Sequence, residues 1–155
     1  MIELLFLMGF TLHNIEEGIW LPDWSRHAGK YHKEVSVNEF RFAVIVVTAL
    51  GYLFTFQYFI FPHSVFSKHL YLAFVLMMTL NVFFPHLAAT LVLKRYAPGL
   101  ITGILLNAPI GAYILFNNIS GRNEFIQITG FTVILGIIFI LLIKFLFKTG
   151  NSIFR

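Results

Sequence analysis

The sequence predicts an all-α fold: a polytopic membrane helical bundle of five transmembrane helices, N-terminus out and C-terminus in. Three observations carry this. Of 155 residues, 58% are hydrophobic and 12% charged, where a soluble domain is about 25% charged. Five apolar runs approach the length a helix needs to cross hydrocarbon, roughly 20 residues. Lysines and arginines flank these runs instead of clustering, which argues against nucleic acid as a partner despite the formal charge of +4.

The first run, Ile2 to Leu21, lacks the basic leader and small-residue cleavage site of a signal peptide and contains Glu16 and Glu17, so it reads as mature structure. The second, Phe42 to Phe61, is rich in aromatic and β-branched residues. A lone strand would leave its backbone unpaired in lipid, so this run must also be helical. Leu70 to Leu93 and Leu100 to Phe116 follow, the latter short and carrying Pro109, and Phe125 to Phe147 closes the bundle. Residues 1–155 form one membrane-embedded domain, with 22–41 as the longest loop. The absence of cysteine excludes disulfides and thiolate metal sites.

Charge sets the orientation. With five spans, Arg26, Lys30, Lys33, Arg41, Lys94, Arg95, Lys144, Lys148 and Arg155 share one side, and Lys68 and Arg122 the other. Nine against two puts the first side in the cytosol, makes 22–41 a cytosolic loop, and points to a multi-pass protein of the plasma membrane. Trp20, Trp24, Tyr31 and Tyr96 then fall near the cytosolic interface, where amphipathic aromatics belong.

His13-Asn14-Ile15-Glu16-Glu17 breaks the apolar pattern. Ionisable groups at that depth are costly and functional by default, and residues at i, i+3 and i+4 share one helix face. By helix rise His13 lies about 12 Å below the cytosolic end, and His86 and Asn107, on the third and fourth spans, about 10 Å below it. Three polar residues on three helices agree in depth under a topology fixed by surface charge alone.

The spacing H-x-x-E-E parallels the helix-borne H-x-x-E-H arrangement of zinc hydrolases, with ligands at i and i+4 and a base at i+3. His13, Glu17 and His86 are therefore the expected ligands of a divalent metal, zinc or non-haem iron. Glu16 takes the position of the catalytic base. Asn107 offers an amide donor, and Asn81 stands four residues before Pro85, whose missing N–H frees the Asn81 carbonyl beside a kink. Pro109 would free the Leu105 carbonyl in the same way. The competing structural reading is a polar network that fixes helix register without a metal. His27, His32, His63 and His69 read as solvated loop or interface residues.

His13-x-x-Glu16-Glu17, Asn81-x-x-x-x-His86 and Tyr96-x-Pro98-Gly99, in that order, resemble the HXXEE family of small integral membrane proteins. The resemblance runs from about Leu12 to Asn107 and implies the membrane class and the site. The family carries no assigned reaction. For Tyr96-Ala97-Pro98-Gly99 the residues themselves explain a tight reversal.

The expected function is an intramembrane, metal-dependent enzyme acting on a lipid or other lipophilic small molecule by hydrolytic or oxygen chemistry. The alternatives are a metal-free acid–base isomerase, a cation or proton transporter, and a structural subunit. Transport fits poorly, because Gln57, Thr79 and Thr129 hardly make a polar path through the outer half. Membrane lipids are the expected neighbours, and the apolar fifth helix suits lipid contact or a homo-oligomer.

Overall fold

The computed structural model describes residues 1–28 and 35–153. Lys30, Tyr31, His32, Lys33 and Arg155, which enter the charge and interface arguments above, lie outside these residues. Five helices follow in order: α1 Ile2–Ser25, α2 Val37–Ile60, α3 Val65–Leu93, α4 Leu100–Asn118 and α5 Arg122–Ile153. No strand occurs among the described residues. Helices α2 to α5 are long and apolar enough to cross a membrane. Helix α1 has the length, 24 residues, but the polar groups from His13 to Glu17 lower its hydropathy.

The helices extend beyond the runs read from the sequence, with α3 starting at Val65 and α5 spanning Arg122–Ile153. Helix α1 continues through Pro22 to Ser25, and α2 starts at Val37, so much of 22–41 is helical. Pro22 lacks the N–H that would bond the Gly18 carbonyl, and the Arg41 Nε donates to that carbonyl instead, at 3.1 Å. The lost bond is replaced, so the helix need not end there. His69 is also corrected: it lies in α3 and is buried, with Nε2 3.5 Å from Glu124 and its ring edge-on to Phe131. Nothing in the local sequence marks it as inward-facing.

The helices form a ring in the order α1, α2, α5, α3, α4, with α2 also meeting α3. At the end holding Met1 and the α2–α3 and α4–α5 turns, aromatic side chains fill the interior. Phe74 of α3 takes Phe6 and Phe10 of α1 edge-on, at centroid distances of 6.1 and 5.1 Å, and meets Phe54 of α2 at 5.5 Å. Such edge-to-face pairs align the positive ring edge with the negative face. Gly51 admits this cluster, since a Cβ there would come within 2.5 Å of the Phe10 ring. Lys68 and Glu124 clamp the same end at 2.7 Å.

At the opposite end the regular helices give way. Helix α3 breaks at Phe84 (φ −137°, ψ 114°) just before Pro85, and the chain resumes its helix with His86 turned inward. In α4 the turn over Gly103–Asn107 widens so that the Ala108 N–H donates to the Gly103 carbonyl. That one extra residue per turn absorbs the donor missing at Pro109. Lys94 (φ 50°) ends α3 and Gly99 (φ 93°) starts α4. Between them the Ala97 N–H donates to Thr90 Oγ1 at 3.0 Å.

Candidate metal centre

Three ligand-capable atoms meet at this irregular end: one nitrogen each from His13 and His86 and a Glu17 carboxylate oxygen, all within 4.8 Å of one another. Glu17 Oε1 lies 3.0 Å from His86 Nε2 and 3.6 Å from His13 Nε2. The imidazole rings stand perpendicular, centroids 4.9 Å apart. His13 and His86 are 2% and 3% exposed, and Glu17 is 16% exposed. Helix spacing explains His13 and Glu17, which sit one turn apart on α1, and leaves His86 as the third. The break at Phe84 explains the third.

Asn81 joins them from the end of the regular part of α3. Its amide lies 3.0 Å from His86 Nε2 and 3.4 Å from His13 Nε2. An amide nitrogen there donates to imidazole lone pairs; turned over, the same group presents its oxygen. Either way both Nε2 atoms face one point.

The outer face of His13 is held by a relay. Its Nδ1 is 3.3 Å from Thr102 Oγ1, and that hydroxyl donates to Glu16 Oε2 at 2.6 Å. A carboxylate behind a histidine, here through a hydroxyl, fixes the tautomer with Nδ1 protonated and leaves the Nε2 lone pair pointing inward. Glu16 does more than this. Its oxygens also accept from the Tyr96 hydroxyl, from the Gly99 N–H at 2.8 Å and from the Thr102 N–H at 3.2 Å. It thereby caps the first turn of α4 and clasps the 96–102 segment to α1. Burial, then the hydrogen bond to Glu16, pushes the Tyr96 phenol up to about 12, so it stays a donor at neutral pH.

Gly99 closes the centre from above. A Cβ on it would lie 2.8 Å from the Cε1 atoms of both His13 and His86, and its φ of +93° disfavours any side chain. The positive φ explains the turn, and the contact with both rings explains why the turn can sit on the site.

Every residue of the expected site except Asn107 is joined to this cluster by hydrogen bonds or ion pairs. Asn107 is 1% exposed and in α4, but both of its amide atoms are buried without a hydrogen-bond partner. Its oxygen faces Gly9, one turn along α1 from His13. Sequence reasoning missed Thr102, the closing role of Gly99, and Asn14, whose amide donates to Thr48 Oγ1 at 2.8 Å and ties α1 to α2. A threonine three residues after the Pro-Gly turn was the available signal for Thr102.

Residues 4–114 match the family described as "Protein of unknown function with HXXEE motif". The chain belongs to the HXXEE family. The matched segment contains the motif on α1, the break in α3 and the widened turn of α4, so HXXEE membership covers the whole candidate centre. The chain is also similar to the uncharacterized protein YrkK of Bacillus subtilis (strain 168), at 44% identity over 153 residues, covering 96% of this chain and 94% of that protein. No solved structure matches.

Donor types and spacing fit a cation. Zinc held by four nitrogen and oxygen ligands at about 2.0–2.1 Å needs those atoms about 3.3 Å apart. The 3.0 and 3.6 Å separations of Glu17 Oε1 from the two imidazoles bracket that value.

Proposed function

We propose that this protein is an intramembrane enzyme that uses a divalent cation, zinc or iron(II), to act on a lipid or other lipophilic small molecule. The observation that carries the reading is the convergence of two imidazole nitrogens and a carboxylate oxygen within 4.8 Å of one another, at buried and half-buried positions on helices that otherwise face a membrane. His13, His86 and Glu17 hold the ion, and Asn81 supplies a fourth group, as ligand or as hydrogen-bond partner to what the ion carries. When bound, zinc supplies Lewis acidity and an acidified water, and iron(II) supplies oxygen chemistry.

The chain's own residues do the rest. Glu16, its four hydrogen bonds already made, orients His13 through Thr102 and holds the turn; this replaces the base role its sequence position suggests. A cavity of about 370 Å³ lined by Leu21, Trp24, Phe84, Pro85, Ala88 and Val92 reaches the centre at His86. It is within the range of small-molecule sites, about 300–1,000 Å³, and mostly apolar as such sites are. An apolar molecule would enter there sideways. All five helices span the bilayer in this reading. The basic end faces the cytosol of the plasma membrane, and the centre lies one-third of the way in.

A second reading is metal-free acid–base catalysis, favoured by the 3.0 Å Glu17–His86 pair, which suits proton transfer. Elemental analysis of protein purified in mild detergent without chelators separates the two. Wild type is expected to carry about one equivalent of zinc or iron and His13→Ala none. Metal-free wild type that remains active would transfer the function to acid–base chemistry.

A further inference from the structure

A second, larger cavity of about 750 Å³ opens between the basic end of α1 and the segment from Arg95 to Thr102. Its long wall is Leu12, Ile15 and Ile19 of α1 and Ile101 of α4, each roughly half exposed, so the cavity is open sideways to the lipid-facing surface. Its mouth carries Arg95, His27, Asp23 and Trp24. Its floor is the Glu16–Tyr96–Thr102 clasp.

Among the described residues, one cation at this mouth has no partner. Asp23 has Arg26 at 3.7 Å. Both Glu16 oxygens are taken by donors from 96–102. Arg95 is exposed and makes no ion pair or side-chain hydrogen bond among the described residues. An unpaired guanidinium thus stands at the top of an apolar groove. Guanidinium forks match phosphate and carboxylate oxygens.

We propose that this cavity binds an anionic single-chain lipid, its phosphate held by Arg95 and its acyl chain along Leu12, Ile15, Ile19 and Ile101. This names a substrate or product class for the centre, and only that assignment rests on the enzymatic reading; the binding does not. The two cavities share Trp24 and Pro98, so a molecule anchored in one lies beside the entrance of the other. Thr102, which lines this cavity, has its Oγ1 3.3 Å from His13 Nδ1.

Trp20 and Trp24 are the only tryptophans of the chain and both line this cavity, which gives a direct reporter. The protein in phosphatidylcholine nanodiscs is titrated with a lysophosphatidate brominated along its acyl chain, and in parallel with the monoacylglycerol of the same chain. Expected is saturable tryptophan quenching by the phosphate-bearing lipid, at least tenfold tighter than by the neutral one. Arg95→Gln should weaken it about tenfold and Arg95→Lys restore part of the loss. Glu17→Gln, unable to complete the metal centre, should bind as wild type does. Equal quenching by both lipids, an Arg95→Gln variant indistinguishable from wild type, or competition by glycerol phosphate as strong as by the intact lipid would each overturn the proposal. Loss of metal in Glu17→Gln with binding intact separates this question from that of the reaction.

Discussion

The two ends of the bundle solve opposite problems with the same helices. Near the Met1 end, Phe6, Phe10, Phe54 and Phe74 interlock, and the helices there are regular. At the basic end the interior is His13, Glu16, Glu17, Asn81 and His86, and the backbone breaks at Phe84 and widens at 103–107. One end is packed for stability, and the other spends regular structure to aim polar groups at a point. The lesson is that irregular backbone deep in an apolar bundle is tolerated where it lines a polar site and its groups are re-satisfied by neighbours, as Arg41 re-satisfies Gly18.

The sharpest way to break this contrast is to damage each end separately. Phe74→Ala removes the ring on which three others lean and is expected to cost about 3 kcal/mol in denaturant unfolding, as other large core deletions do. Metal content per folded molecule should not change. If the site empties while the fold survives, the two ends are not independent.

Gly99→Ala is the reciprocal test. The added methyl meets both imidazoles and must adopt a positive φ, so the centre should lose its metal while helical content by circular dichroism stays near wild type. Retention of full metal occupancy would mean that the turn does not close on the histidines.

A smaller effect concerns the clasp. The Tyr96 phenol, raised from 10 to about 12 by burial and by Glu16, contributes stability that is fully present below pH 10 and is lost as pH rises toward 12. Thermal midpoints should therefore be flat through neutral pH and fall in that window. Tyr96→Phe should remove that tyrosine's contribution to the fall, leaving the slope of the other tyrosines. An unchanged pH profile in the variant would show that the Tyr96–Glu16 contact carries no weight.

Much of this was legible in the chain. Composition and apolar runs sufficed for the all-α class and for four long apolar helices, because lipid permits few alternatives. The i, i+3, i+4 spacing put His13, Glu16 and Glu17 on one helix, and helix rise brought His86 to the same level. What was not legible depended on geometry beyond a single helix. Glu16 and Glu17 are adjacent, and only the approach of 96–102 decides that Glu16 turns outward to the clasp while Glu17 turns to the histidines. Pro22 reads as a helix end, and only the distant Arg41 makes it a helix interior. Asn107 is expected at the level of His13, but its oxygen faces Gly9, one turn away along α1, because rise along a regular helix does not describe the widened turn over 103–107.

The central claim is that His13, His86 and Glu17 together hold one cation, with Glu16 behind them. Titration of metal-free protein with cobalt(II), followed by its visible d–d spectrum, tests this most directly, since band intensity and position report coordination number and ligand type. The account predicts one equivalent of four-coordinate cobalt in wild type, no such spectrum in Glu17→Gln or His86→Ala, and the spectrum retained in Glu16→Gln with affinity lowered about 10–100-fold, as for other second-layer partners of metal-binding histidines. A wild-type protein that leaves cobalt six-coordinate and exchangeable, or a Glu17→Gln variant that binds it as wild type does, would contradict it.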